Sequence, residues 1–151
     1  MNIRFAEESD IETLSIYDKH IRVTELKSAV SLGRVIVAED NGTFIGCLRW
    51  NLFWDNTPFM NLLFLPEEYR SSGYGKAIVS YWERVMQEEG YKLVMTSSLS
   101  NETAQHFYRK LGYVDSGALL LPGEPLEIIF TPFSELWNYE YRYNDLQVQR
   151  V

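Results

Sequence analysis

The stretch Arg70-Ser71-Ser72-Gly73-Tyr74-Gly75-Lys76-Ala77 carries the densest chemistry in the chain, between an apolar run, Phe59 to Leu65, and the start of an amphipathic one. Gly73 and Gly75 let backbone approach a ligand with no side chain in the way. A helix N-terminus behind them presents unpaired amides and the positive end of its dipole. Arg70 and Lys76 add positive charge, and Ser71 and Ser72 add hydroxyl donors. The set suits a phosphate or pyrophosphate. Spacing excludes two common nucleotide motifs. The P-loop needs Gly five residues before Gly75 and Ser or Thr after Lys76, where Arg70 and Ala77 stand. The dinucleotide fingerprint needs a third Gly where Ile78 stands.

The elements that position this loop follow from periodicity and punctuation. Asn2 to Ala6 reads as a strand, and Ser9-Asp10-Ile11-Glu12 as the capped start of a helix. A second helix spans Thr24 to Leu32 and stops at Gly33. Arg34 to Glu39 and Thr43 to Trp50 form a hairpin about Asp40-Asn41-Gly42. Asp55-Asn56-Thr57-Pro58 breaks the next connection, and Phe59 to Leu65 suits a strand buried on both faces. Ile78, Tyr81, Trp82, Val85 and Met86 give Gly75 to Glu89 one apolar helical face. Tyr91 to Ser98 reads as a strand, and Ser100 or Asn101 can cap a helix with Ala104, Phe107, Tyr108 and Leu111 on its apolar side. Tyr113 to Leu121 and Leu126 to Thr131 make a second hairpin about Pro122-Gly123-Glu124-Pro125.

Arg70-x-x-Gly73-x-Gly75 resembles the Arg/Gln-x-x-Gly-x-Gly/Ala loop of the GNAT acetyltransferase superfamily. The series Asn101-Glu102-Thr103-Ala104-Gln105-His106-Phe107-Tyr108-Arg109-Lys110-Leu111-Gly112-Tyr113 resembles that family's second signature, an Asn, Ala, Phe-Tyr and Leu-Gly-aromatic run. The resemblance covers roughly residues 2–131 and implies an α/β (α+β) fold. Its central sheet has about six or seven mostly antiparallel strands, the fourth and fifth splayed, with about four flanking helices. It further implies acetyl-CoA as cosubstrate, with the pyrophosphate on the amides of Arg70, Ser71, Ser72, Gly73, Tyr74, Gly75 and Lys76. The pantetheine arm then runs beside Leu63, Phe64 and Leu65, filling the splay like a missing strand. Relatives often carry Pro three residues before the loop's first position; here Pro66 is four before Arg70.

By the same resemblance the reaction is direct attack of a primary amine on the thioester in a ternary complex. An alkyl ammonium must first lose its proton, which costs about 4.6 kcal/mol from roughly 3.4 pKa units. An amide on the strand ending at Leu65 would stabilise the oxyanion, and Tyr108 would protonate the leaving thiolate. Tyr108 is also readable as a packed helix tyrosine, and Asn101 either contacts the cofactor or only caps its helix. Relatives often place Glu where Asn61 stands, and an amide is no base; Asp55, Glu124 and a water chain stay open for that role. Phe53, Trp54, Asp55 and Glu124 are candidates to line a site for a cationic acceptor. The rival reading is a silent acyl-CoA-binding or interaction domain.

Composition narrows the partners. Fourteen basic against twenty-one acidic residues give a net charge of −7, with no basic run, so nucleic acid is a poor partner. The 46% apolar content over 151 residues fits one globular domain, expected over 1–131, followed by an aromatic-rich extension, 132–151. That tail carries Phe133, Trp137, Tyr139, Tyr141 and Tyr143 and reads as packing on its own domain or on a second subunit, a candidate homodimer element. The first residues have no apolar core of a signal peptide, and no run is long enough for a transmembrane helix, so a cytoplasmic, membrane-free protein is expected. Cys47 is expected to be a buried inert thiol, and His20 and His106 lack partners for a metal or a triad, so no metal site is expected.

Overall fold

A computed structural model describes residues 1–132; the expectations for the aromatic tail lie outside the described residues. Among the described residues there are seven strands and four α-helices: β1 (Asn2–Phe5), α1 (Ile11–Tyr17), α2 (Val23–Ser31), β2 (Val35–Asp40), β3 (Thr43–Phe53), β4 (Thr57–Phe64), α3 (Tyr74–Glu88), β5 (Met95–Leu99), α4 (Ala104–Lys110), β6 (Tyr113–Leu119) and β7 (Glu127–Pro132). The sheet order is β1-β2-β3-β4-β5-β7-β6, with antiparallel pairing of β1 with β2, β2 with β3, β5 with β7 and β6 with β7. The expected class, an antiparallel-rich α/β sheet with about four helices, is the one found. The described residues form two compact units, Met1–Leu52 with Met60–Val85, and Phe53–Phe59 with residues 86–132.

In the first unit the alternation of β2 and β3 sorts side chains onto two faces. Val35 and Val37 share one face with Cys47, and Ala6, Leu14 of α1 and Leu26 of α2 close a core over it. Helices of seven and nine residues do not hold alone; burying Leu14 and Leu26 contributes roughly 2–3 kcal/mol each. A register shift after Ala38 skips Ile45 and brings Phe44 onto this face, where it stacks on Tyr17 at 4.6 Å. Arg49, opposite Val35, meets Asp18 at the C-terminal end of α1, Nε to Oδ2 2.6 Å, with both side chains largely buried. The other face takes α3: Trp82 and Ile78 are fully buried, and Trp82 lies 6.3 Å from Trp50.

Gly46 shows how closely that face is packed. A Cβ there would stand 2.7 Å from the Phe64 carbonyl oxygen and 3.2 Å from Ile78 Cδ1. Gly46→Ala must push the end of β4 aside, so thermal unfolding should show a loss of about 1–3 kcal/mol.

In the second unit β7 lies between β5 and β6, with Thr96 opposite Phe130. Phe130 is fully buried, whereas β6 is exposed from Val114 to Leu119. A tight turn in this unit joins β3 to β4, Trp54 and Asp55 taking φ of 55° and 63°, with Asn56 N–H donating to Phe53 O at 3.2 Å.

Several local expectations are corrected. Thr57 and Pro58 belong to β4, and the break falls earlier, at Trp54-Asp55. β4 is not buried on both faces: Asn61 is exposed and Leu62 to Leu65 are half-buried. β5 starts only at Met95; Leu93 and Val94 before it are buried but lie outside the strand. The carboxylate of Asp10 does not cap α1; it accepts Glu7 N–H at 2.7 Å and Arg4 Nη1–H at 2.8 Å. Neither Ser100 nor Asn101 caps α4, which follows Thr103 with no side-chain cap. Glu102 takes that neighbourhood instead, its Oε2 accepting Leu99 N–H at 3.3 Å, while Gln105 Nε2 donates to Ser100 O.

Candidate functional site

Pro66 forces the chain off β4 into a single 3-10 turn, Glu67–Tyr69, and the backbone then reverses through Ser71 (φ 62°) and Gly73 (φ 87°) before α3 begins at Tyr74. A Cβ on Gly73 would meet nothing within 4 Å, so glycine is required there by conformation and the surface in front of it is open. Ala77 N–H donates to Gly73 O at 3.1 Å. The amides of Tyr74, Gly75 and Lys76 precede that bond and have no helical carbonyl one turn behind them. Ser71, Ser72, Gly73 and Lys76 are exposed around this mouth, with Tyr69 and Tyr74 edge-on at 6.1 Å. A fifteen-residue helix opening behind two cations and two hydroxyls has the donor set an anion needs.

Arg70 ties this loop to the strand before it. Its Nε donates to Leu65 O at 2.8 Å, and the guanidinium lies 5.8 Å above the Phe64 ring. β4 ends at Phe64, so Leu65 stands one residue past the strand, and its carbonyl already accepts one bond. Leu63, Phe64 and Leu65 are half-buried, an apolar edge beside exposed polar loop residues. Phe64 also meets Tyr17 at 5.3 Å, which links the end of α1 to this edge. Asn61 is exposed and donates from Nδ2 to Asn51 Oδ1 at 2.8 Å, so no carboxylate occupies that strand position.

Tyr108 belongs to the second unit and is buried there, 6% exposed. Its ring packs 5.9 Å from both Tyr113 and Phe130. Burial pushes its phenol above the ordinary tyrosine value; the neighbouring Thr96 side chain works against that shift, and the charge of Glu102 adds to it. Asn101 is exposed in the turn before α4. Tyr108 can therefore hold a proton well above neutral pH, as a general acid must.

Burial pushes the Cys47 thiol up to about 12, with Asp18 adding to the effect and Arg49 offsetting part of it, so it stays protonated and inert. Asp55 and Glu124 are exposed on separate turns, and both histidines are exposed. Among the described residues no group of three His, Cys, Asp or Glu is placed to hold a metal, and no helix is long and apolar enough to cross a membrane. Two features escaped the sequence reading. Thr96 and Ser98 are buried hydroxyls on one face of β5, and Ser97 on the other donates to Glu127 Oε1 at 2.6 Å. The signal was present: hydroxyls in a strand packed under a helix require partners.

Comparison with known proteins agrees with this arrangement. A family model described as an acetyltransferase (GNAT) domain matches residues 31–115. No curated protein matches the chain. A GNAT family acetyltransferase from Bacillus cereus is 22% identical with a TM-score of 0.70, covering 88% of this chain and 98% of its own. The ribosomal-protein-S18-alanine N-acetyltransferase of Escherichia coli is 15% identical with a TM-score of 0.72, covering 87% and 92%. The PaiA N-acetyltransferase of Thermoplasma acidophilum, solved with coenzyme A, is 18% identical with a TM-score of 0.71, covering 88% and 98%. With the family model spanning more than half of its length, and the fold shared with these enzymes, the chain belongs to the GNAT acetyltransferase family.

Proposed function

We propose that this protein is an N-acetyltransferase that moves the acetyl group of acetyl-CoA to a primary amine by direct attack, with no covalent acyl-enzyme. The observation that carries the reading is the mouth of α3, where the left-handed turn at Ser71 and Gly73 opens onto unpaired first-turn amides between Arg70 and Lys76. On this reading the pyrophosphate lies on residues 70–76 and the pantetheine arm beside Leu63 to Leu65. Asn101 contacts the cosubstrate. The amine nitrogen bonds to the acetyl carbon, the carbon–sulfur bond breaks, and the sulfur takes the proton of the Tyr108 hydroxyl. The phenolate then regains a proton from solvent, while the amine's proton leaves to water or a base. Residues 1–131 serve as the catalytic domain of a cytoplasmic enzyme, and 132–151 as a packing or dimer element.

Calorimetric titration with acetyl-CoA tests the cosubstrate without the acceptor. One-to-one micromolar binding is expected. Gly73→Val places a β-branched residue at φ 87°, a strain of about 1–2 kcal/mol or more that the loop relieves by shifting, so affinity should fall about tenfold or more. Absent binding by the unaltered protein would sink the reading. Asn61 favours one alternative, a CoA-binding domain without turnover, since it leaves an amide where a base often stands. Tight acetyl-CoA binding with no thiol release across a broad panel of amines would select that alternative.

A further inference from the structure

We propose that Arg70 is a positioning residue for the loop before α3: its side chain holds the left-handed turn at Ser71 against the end of β4, and the site uses its Nε–H donor rather than its charge. The inference rests on the reading of residues 70–76 as the acetyl-CoA cradle. Its ground is the set of contacts that meet at this one residue. Arg70 N–H donates to Glu67 O at 3.2 Å, closing the 3-10 turn, and its Nε–H reaches back to Leu65 O at 2.8 Å. The guanidinium rests over Phe64, 5.8 Å from the ring centroid. Phe64 is itself held, since Tyr17 packs against it at 5.3 Å and stacks on Phe44 at 4.6 Å. Both contacts of the Arg70 side chain therefore go to the strand end before the loop.

The turn needs such a hold. Ser71 takes φ of 62°, where its Cβ crowds the backbone, and a residue stays in that region only when its surroundings over-determine it. Ser71 and Gly73 together lead the chain into α3, so the placement of the Tyr74, Gly75 and Lys76 amides follows from where the turn begins. Arg70 stands immediately before it, tied through backbone and side chain at once. A counter-charge for a phosphate asks for the opposite: a cation on a loose stem that can follow the anion. A guanidinium bonded at Nε and resting on an aromatic face has given up that freedom. Lys76, exposed in the first turn of α3, keeps it.

Three substitutions split the donor from the charge. Glutamine carries an uncharged N–H donor as many bonds from Cα as arginine Nε, lysine carries the charge one bond further out, and methionine carries neither. In calorimetric titration of the full-length protein with acetyl-CoA, Arg70→Met should weaken binding about three- to tenfold. Arg70→Gln should recover most of that loss, and Arg70→Lys less of it. In the free protein, the backbone amide NMR shifts of Ser71 to Gly75 should follow the same order, close to the unaltered values in Arg70→Gln and displaced in Arg70→Met. Tighter binding by Arg70→Lys than by Arg70→Gln would make Arg70 a counter-charge and overturn the proposal. So would an Arg70→Gln variant as weak as Arg70→Met, or an Arg70→Met variant as tight as the unaltered protein. Failure of the parent reading looks different: no acetyl-CoA binding by the unaltered protein removes the cradle, while the order of the free-protein shifts still decides whether Arg70 holds the turn.

Discussion

Tyr108→Phe is expected to lower turnover about 10²–10³-fold while leaving the acetyl-CoA Kd within about threefold. Phenylalanine keeps the ring among Tyr113 and Phe130, so packing survives and the change removes only the hydroxyl. Any stability cost of losing that buried hydroxyl, about 1 kcal/mol, is separated from catalysis by calorimetry. In the proposed mechanism the phenol acts late, when sulfur leaves, so the change removes an interaction made mostly in the transition state and spares ground-state binding. Thiol release measured against calorimetric affinity decides the matter. Equal losses in both would make Tyr108 a core residue that merely shapes the second unit.

The contrast between what could be read in advance and what could not follows from range. The α3 loop was legible because its chemistry is local: two glycines, two cations, two serines and a helix start lie within eight residues. The Asn41-Gly42 hairpin and the apolar stripe of α3 were legible for the same reason. Tyr108 was singled out by its place in a motif, but its surroundings were not, since Tyr113 and Phe130 reach its ring only once β6 and β7 have paired. The α4 cap was misplaced because Glu102 outcompetes Asn101 for the backbone there, a contest between neighbours that propensity does not rank. β4 read as a fully buried strand from its apolar run alone. The structure leaves its last residues half-buried, and an apolar surface of that kind is what a partly apolar cosubstrate arm would cover. The Asp18–Arg49 pair was invisible, as it depends on the register that sets Arg49 opposite Val35.

That pair carries a large expected stability effect in the first unit. Asp18 ends α1 with its own N–H bonded to Leu14 O at 2.7 Å, and its carboxylate is 2% exposed against an Arg49 side chain 11% exposed. A surface pair of this type would contribute a few tenths of a kcal/mol. Here, removing one member strands the other in a core of Leu14, Leu26, Val35 and Cys47. Asp18→Ala should therefore cost about 3 kcal/mol in urea unfolding, with an unchanged slope. The double variant Asp18→Ala with Arg49→Met should recover most of the loss, because the orphaned charge goes with it. A double variant no better than the single one would mean that the carboxylate acts as a helix-end anchor and not as a counter-charge. The two outcomes also differ at the edge proposed to hold the cosubstrate. Tyr17, next to Asp18, holds Phe44 and Phe64, and Phe64 lies beneath Arg70. If the charge pair alone matters, the double variant restores acetyl-CoA affinity along with stability. If the anchor matters, α1 frays at Tyr17, and binding stays weak in a protein that is otherwise folded.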